Sequence, residues 1–241
     1  RMQDDDGRVV EERYLDANGY PVARYENFHG LSYEYDETST VITYLDVEGN
    51  PIIRSDGYST IVRTQVDGRA YDDFFYDLNG QQVQCSGGYY GLRRGYNAEG
   101  QNISLAFLDK DGRAVCTLSG YAIMTYQRDM NGTVVGKQYF DTDGNPVRSS
   151  LGKYGEFYQR NEQGYTGQIT YLDADGNPAP TNAGYTILKC TYHRDGTTDT
   201  DMYFDANGNP KALSKRQYGI KRSGRANILL DRNGNVMPCV D

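Results

Sequence analysis

Between its turns the chain mixes apolar and polar positions over short strand-like stretches, and Tyr185-Thr-Ile187-Leu-Lys-Cys-Thr-Tyr192 is typical of them. Tyr, Ile, Val, Phe and Thr dominate these stretches, and β-branched and aromatic side chains suit a pleated, half-buried surface. No segment sustains apolar residues at i, i+3, i+4 and i+7, the signature of an amphipathic helix. Glycine-bearing turns punctuate the pattern about every 15 residues, which predicts hairpins with roughly six to eight residues on a side. The expected fold class is all-β.

The same pattern repeats. Tyr171-Leu-Asp-Ala-Asp-Gly-Asn-Pro-Ala179 recurs as Tyr139-Phe-Asp-Thr-Asp-Gly-Asn-Pro-Val147 and as Tyr203-Phe-Asp-Ala-Asn-Gly-Asn-Pro-Lys211. Looser copies begin at Tyr14, Tyr44, Phe75, Phe107 and Leu229, each with Asp third and Gly sixth. From 14 to 203 the starts lie 30 to 32 residues apart, and the step to 229 is 26. Self-similarity at a fixed period is the mark of repeat architectures. The expectation is therefore a single array of stacked β-hairpins, β-solenoid-like, over 1–241. It has a partial repeat at 1–13, repeats starting at 14, 44, 75, 107, 139, 171 and 203, and a partial repeat at 229–241. Asp4 to Val10 aligns with Asp129 to Val135, with Gly7 and Gly132 each seven residues before a repeat start, so the chain reads as a piece of a longer protein. A variable loop follows each acidic turn, then an aromatic at Tyr58, Tyr89, Tyr121, Tyr154, Tyr185 or Tyr218, 14 or 15 residues after its repeat start. A second turn carries Gly68, Gly100, Gly132, Gly164 or Gly196. The first repeat departs, with Glu37-Thr-Ser-Thr40 in place of that glycine turn.

Composition fits a thin-cored array. Apolar residues are only 37% of the chain, and a solenoid needs little core because each repeat is covered by its neighbours. A net charge of −8 disfavours nucleic acid, whose binders need basic patches to release counterions, and anionic membrane surfaces. No apolar run of about 18 residues points to membrane insertion. A neutral polymer or a cationic group is an easier partner, and the same charge also serves solubility.

The acidic turns invite a calcium reading. An EF-hand loop, however, takes ligands at positions 1, 3, 5, 7 and 9 and a bidentate Glu at 12, and Asp173, Asp175 and Asn177 lead instead into Pro178 and apolar residues. Asp or Asn before Gly is a strong turn signal, since glycine accepts positive φ and the short polar side chain bonds locally. We read these loops as turns, with no metal and no cofactor. His29 and His193 sit at different places in their repeats and read as structural or solvated. Asp141 and Asp173 recur too evenly to form an acid/base pair, which needs two unlike environments. Cys85, Cys116, Cys190 and Cys239 show no metal spacing. A bond between Cys85 and Cys116 of adjacent repeats and free thiols are both open. Nothing points to an enzyme.

Twenty-three tyrosines and no tryptophan leave the rings as the candidate binding groups. A tyrosine offers an apolar face and a polar tip, and a row of them at fixed spacing makes a row of shallow sites for sugars or quaternary ammonium groups. Tyr58, Tyr89, Tyr121, Tyr154, Tyr185 and Tyr218 are the candidates; the alternative is that they form the thin core. The Gly-Tyr openings at Gly57-Tyr58, Gly88-Tyr89, Gly120-Tyr121 and Gly184-Tyr185, followed by Tyr-Phe-Asp-x-Asp-Gly-Asn-Pro, resemble the cell-wall-binding repeats of Gram-positive surface proteins. Those include choline- and glucan-binding repeats and the C-terminal repeats of large clostridial toxins. Their repeats are about 20 residues long and tryptophan-rich, whereas these are longer and have none. Tyr33-Glu-Tyr-Asp36 more weakly resembles the Tyr-Asp repeats of wall-associated and Rhs-type proteins. The resemblance implies stacked hairpins in an extracellular or surface-bound, secreted bacterial protein that binds cell-wall or host glycan between successive repeats. The competing expectation is a structural spacer or a module that binds a protein partner.

Overall fold

The computed structural model describes residues 1–24, 27–213, 216–224 and 226–238. Among them the chain is all-β, with sixteen strands and no α-helix. It divides into two compact units, Arg1–Leu118 and Ser119–Asp241. The first holds β1 (Met2–Gln3), β2 (Val9–Arg13), β3 (Gly30–Tyr35), β4 (Ser39–Leu45), β5 (Thr60–Val66), β6 (Arg69–Tyr76), β7 (Gly91–Tyr96) and β8 (Asn102–Leu108). The second holds β9 (Ile123–Arg128), β10 (Val134–Phe140), β11 (Gly155–Arg160), β12 (Thr166–Leu172), β13 (Ile187–Tyr192), β14 (Thr198–Phe204), β15 (Gly219–Ser223) and β16 (Ala226–Leu230). Within each unit every strand pairs antiparallel with the next in sequence, so the fold is a succession of hairpins.

The turns explain the repeat. Taking the first residue of each repeat as position 0, the aspartate at position 2 opens a turn whose fourth residue is the glycine at position 5. In the repeat from 139, the Asp141 N–H donates to Asn145 O at 2.9 Å and the Gly144 N–H donates to Asp141 O at 3.3 Å. Asp141 Oδ1 accepts the N–H groups of Asp143 and Asn145 at 2.9 and 2.8 Å, while Oδ2 accepts the Asn145 amide at 3.3 Å. Both carboxylate oxygens are therefore spent on holding the turn, as local Asx bonding requires. The hairpin tips repeat the backbone pattern at Asn97–Gly100, Asp129–Gly132, Asn161–Gly164 and His193–Gly196.

The stretch expected as a variable loop is a third turn of the same form. Arg54, Cys85, Ser149 and Thr181, all at position 10, each donate to the residue four along, and Gly57, Gly88, Gly152 and Gly184 bond back to them. Where glycine is missing at position 13, Asn27 and Arg216 still take positive φ, at 64° and 75°. These third turns also stack on one another through the backbone. In the first unit, Ser86 N–H donates to Asp56 O at 2.8 Å and Leu118 N–H to Gly87 O at 3.1 Å. In the second, Ser150 N–H donates to Ser119 O at 2.8 Å and Asn182 N–H to Leu151 O at 3.3 Å. Backbone groups left without partners are costly, so this stacking ties consecutive repeats together beyond the strand ladder.

The repeats come in two alternating kinds. At positions 15 and 16 the repeats from 14, 75, 139 and 203 carry His29-Gly30, Tyr90-Gly91, Tyr154-Gly155 and Tyr218-Gly219. Those from 44, 107 and 171 carry Ser59-Thr60, Ala122-Ile123 and Thr186-Ile187. The N–H groups of His29, Tyr90, Tyr154 and Tyr218 donate to a leucine carbonyl of the next repeat (Leu45, Leu108, Leu172, Leu230). Those of Ser59, Ala122 and Thr186 donate to an aromatic one (Tyr76, Phe140, Phe204). In the strand register Gly30, Gly91, Gly155 and Gly219 stand opposite those leucines, and Thr60, Ile123 and Ile187 opposite those aromatics. The glycine of the Tyr-Gly pairs is steric: a Cβ at Gly91 would lie 2.5 Å from the Asp73 carbonyl oxygen.

Candidate functional site

The six tyrosines fall into two rows. Tyr58, Tyr89, Tyr121 and Tyr185 stand at position 14, where each closes its third turn; Phe28, Lys153 and Gln217 hold that position elsewhere. Tyr154 and Tyr218 stand at position 15, one residue past turns that close at Lys153 and Gln217. None of the six starts a strand, since the strands that follow open at Thr60, Gly91, Ile123, Gly155, Ile187 and Gly219, and the expectation of one row of equivalent rings is corrected to two. A one-residue step along extended backbone turns a side chain to the other face. Tyr58 is buried, at 6% exposure, and the other five are half-buried.

In the first unit the position 14 rings interleave with the position 0 rings in one ladder. It runs Tyr14, Phe28, Tyr44, Tyr58, Phe75, Tyr89, Phe107, with successive ring centroids 5.7, 4.9, 5.9, 4.3, 5.9 and 4.8 Å apart. Offset-stacked and edge-to-face pairs at such distances add about 0.5–1.5 kcal/mol beyond burial. Ile42 and Ile61 complete this core with Tyr44, Tyr58 and Phe75. Arg54, which opens the third turn, covers the ladder's edge. Its Nη1 donates to the hydroxyls of Tyr44 and Tyr58 at 2.7 and 2.9 Å, and its guanidinium lies over both rings at 4.5 and 5.0 Å.

The second unit builds the same ladder with a different rung. Tyr121 and Tyr139 are 4.5 Å apart, Tyr171 and Tyr185 are 5.5 Å apart, and Tyr185 and Tyr203 are 4.9 Å apart. Between Tyr139 and Tyr171 stands Lys153, with Nζ over the two rings at 5.8 and 4.9 Å. Its ammonium pairs with Glu156, which is opposite Tyr171 in the β11–β12 register. Corresponding residues at position 17 are Leu31, Ile61, Leu92, Met124, Leu188 and Ile220. Glu156 Oε1 also accepts the hydroxyls of Tyr139 at 3.1 Å and Tyr158 at 2.6 Å. Burial alone would raise the Glu156 carboxyl; the Lys153 charge and the bonds from Lys153, Tyr158 and Tyr139 outweigh it and hold it below the usual glutamate range. Burial, then Glu156, push the Tyr139 hydroxyl well above the ordinary tyrosine value.

Beside this rung a cleft of about 180 Å³ opens, lined by Ser150, Leu151, Lys153, Tyr171, Thr181, Asn182, Ala183 and Tyr185. Two replacements account for it. A lysine stem is thinner than the ring that fills position 14 at Tyr58, and Thr181 stands at position 10, where Arg54 covers the equivalent rings of the first unit. Several polar groups around the cleft are engaged within the chain. Asn182 Nδ2 donates to Ser150 O at 3.1 Å, Thr181 Oγ1 to Tyr185 O at 3.2 Å, and the Tyr171 and Tyr185 hydroxyls bond to each other.

Charge is also buried away from the ladder. Asp73, 2% exposed, is held by Arg63 Nε and Nη2 at 2.7 and 2.9 Å and by Arg94 Nη2 at 2.7 Å. Burial opposes its ionisation, and the two guanidiniums more than offset that, so its carboxyl is lowered. In the second unit Arg222 donates to Asp201 at 2.6 Å. Cys190, beside Asp201, has its thiol pushed up to about 12 by burial first and by that carboxylate second.

The remaining candidates have plain surroundings. Cys85 is buried, Cys116 exposed and Cys190 intermediate, all as free thiols, so Cys85 and Cys116 are not bonded; Cys239 lies outside the described residues. His193 opens a hairpin turn, with Nε2 3.5 Å from Asp199 Oδ1. Asp141 and Asp173 open turns. Among the described residues no group of three or more His, Cys, Asp or Glu is arranged to hold a metal, and no helix is long and apolar enough to cross a membrane. Comparison of the chain with protein-family models and with curated proteins finds no match.

Proposed function

We propose that the chain is a non-catalytic repeat array of a bacterial surface or secreted protein, working as a structural spacer or protein-interaction module. The observation that carries this reading is the ladder. Tyr58 and its ring neighbours from Tyr14 to Phe107 pack on one another, so packing accounts for those rings without a ligand. The aspartates at position 2 of the repeats are likewise accounted for by the turns they open. The likeness to wall-binding repeats supports an extracellular setting.

A second reading is binding of cell-wall or host glycan along the tyrosines. What favours it is that Tyr89, Tyr121, Tyr154, Tyr185 and Tyr218 are only half-buried, so each keeps an edge toward solvent. Several weak sites on one polymer would then give avidity. Sedimentation with purified cell wall, and with wall stripped of its secondary polymers, separates the two. The spacer reading expects no more chain in either pellet than in a buffer control. Pelleting with intact wall that is lost on stripping would establish the glycan reading.

A further inference from the structure

We propose that the cleft bounded by Leu151, Lys153, Tyr171, Thr181, Ala183 and Tyr185 receives an aromatic side chain presented by a polypeptide partner. The inference rests on the interaction-module reading and gives that partner its chemistry. Where Tyr58 stacks on Phe75 at 4.3 Å in the first unit, the second sets Lys153 over Tyr171 at 4.9 Å. Arg24 and Arg54 cover rings in the first two repeats, whereas Cys85, Thr117, Ser149 and Thr181 hold that position in the next four. A ring and its cover are both absent, and a space of about 180 Å³ remains. A cavity of about 150 Å³ with apolar walls is enough for a benzene ring.

The lining selects what enters. Tyr171 and Tyr185 line it with aromatic carbon and Leu151 and Ala183 with aliphatic carbon, while the Lys153 charge is already balanced by Glu156. A sugar brings several hydroxyls that need partners, and burying a polar group without one costs free energy. Here one Asn182 N–H, the Thr181 hydroxyl proton, one contact of the Lys153 ammonium and the bond between the Tyr171 and Tyr185 hydroxyls are already used within the chain. An aromatic side chain asks for none of them. Leu151, 65% exposed at the mouth, is an apolar contact that such a partner would cover.

The test uses the whole chain and N-acetyltryptophanamide. The protein has no tryptophan, so indole fluorescence reports the probe alone. Saturable binding is expected at millimolar concentration, with the methyl resonances of Leu151 and Ala183 shifting in proportion to occupancy. Thr181→Arg, which supplies the cover that Arg54 gives elsewhere, is expected to weaken binding at least tenfold; Lys153→Tyr, which supplies the ring, is a second route to the same loss. N-acetylglucosamine and soluble wall oligosaccharides are expected not to compete. Absence of saturable probe binding, or shifts confined to other methyls, overturns the proposal whether or not the variants fold. Competition by the sugars also overturns it and returns the cleft to the glycan reading. The wall sedimentation outcome is independent of the probe, so a spacer without an aromatic site is distinguished from a failed spacer reading.

Discussion

The two units solve one packing problem differently. From Tyr14 to Phe107 the first keeps seven rings in unbroken contact with Arg54 at their edge, and buries a carboxylate elsewhere, at Asp73 between Arg63 and Arg94. The second places a lysine and a glutamate inside the ladder itself, where Lys153 takes a ring's position and Glu156 an aliphatic one. The backbone hardly notices, since turns, register and stacking bonds are the same in kind. The repeat therefore fixes where a side chain points, and leaves open whether the space is filled by a ring or by a satisfied ion pair. A buried ion pair costs desolvation that apolar residues of similar volume avoid, so the second unit's rung gives up stability for an open cleft.

The largest effects should come from leaving one buried charge without its partner. Asp73→Ala strands Arg63 and Arg94 and is expected to cost about 3–5 kcal/mol. Glu156→Ala strands Lys153 among tyrosines and is expected to cost about 3 kcal/mol. Urea denaturation measures both. A loss below about 1 kcal/mol for Asp73→Ala would mean that the triad is solvated like a surface pair. The comparison breaks if Glu156→Ala proves neutral while Asp73→Ala does not.

Removing both charges should have the opposite sign. Lys153→Tyr combined with Glu156→Leu gives the second unit the first unit's ladder, and is expected to stabilise by about 1–3 kcal/mol. If the double variant is less stable than the parent, the hydroxyls of Tyr139 and Tyr158, which would lose their acceptor, outweigh the gain.

Glycines sharpen the contrast between turns that stack and turns that do not. Gly144 has φ +84° and nothing within 4 Å of a notional Cβ, whereas at Gly152, φ +81°, a Cβ would fall 2.6 Å from the Asn182 backbone nitrogen. Gly144→Ala is expected to cost about 1 kcal/mol of strain alone. Gly152→Ala should cost about 2–3 kcal/mol, because it also disturbs the bond from Asn182 N–H to Leu151 O. Equal losses in thermal melts would show that the stacked third turns contribute nothing beyond the strands.

Much of this was legible in the chain. Fixed spacing of Asp and Gly declared the acidic turns and the hairpins. Gly57, Gly88, Gly120, Gly152 and Gly184, each 13 residues after a repeat start, equally declared the third turn, but variable residues between them disguised it as a loop. Tyr154 and Tyr218 differ from Tyr58 by one residue in offset, and in a strand one residue is a change of face. The alternation of Tyr-Gly with Ser-Thr, Ala-Ile and Thr-Ile has a period of two repeats, so comparing single repeats conceals it. Lys153 and Glu156 were visible as exceptions at positions 14 and 17. That they neutralise each other depends on two neighbouring side chains meeting over Tyr171, which no single position reveals.

The smallest expected effect is in acid, and it isolates the Glu156 carboxylate. Its pKa is lowered in the folded chain from an ordinary value of 4.5. A depressed carboxyl contributes stability that is fully present above the unfolded value and is lost as pH falls through the folded one. Asp46, Asp77, Asp141, Asp205 and Asp231 are lowered as well, so the whole chain weakens in acid and the parent alone cannot reveal one group. The comparison must be the parent against Lys153→Tyr/Glu156→Leu, which shares all those aspartates. The groups nearest Glu156 are Lys153, Tyr139, Tyr158 and Tyr171, and burial holds the three tyrosine hydroxyls above their ordinary value. Between about pH 7 and pH 5 the stability gap should be constant. Below about pH 4.5 it should widen in favour of the variant, because only the parent has the Glu156 carboxylate to lose. Urea midpoints at a series of pH values measure the gap. A gap that stays flat down to about pH 2.5 would mean that Glu156 is no better stabilised folded than unfolded, and that the lysine rung holds its place without the ion pair.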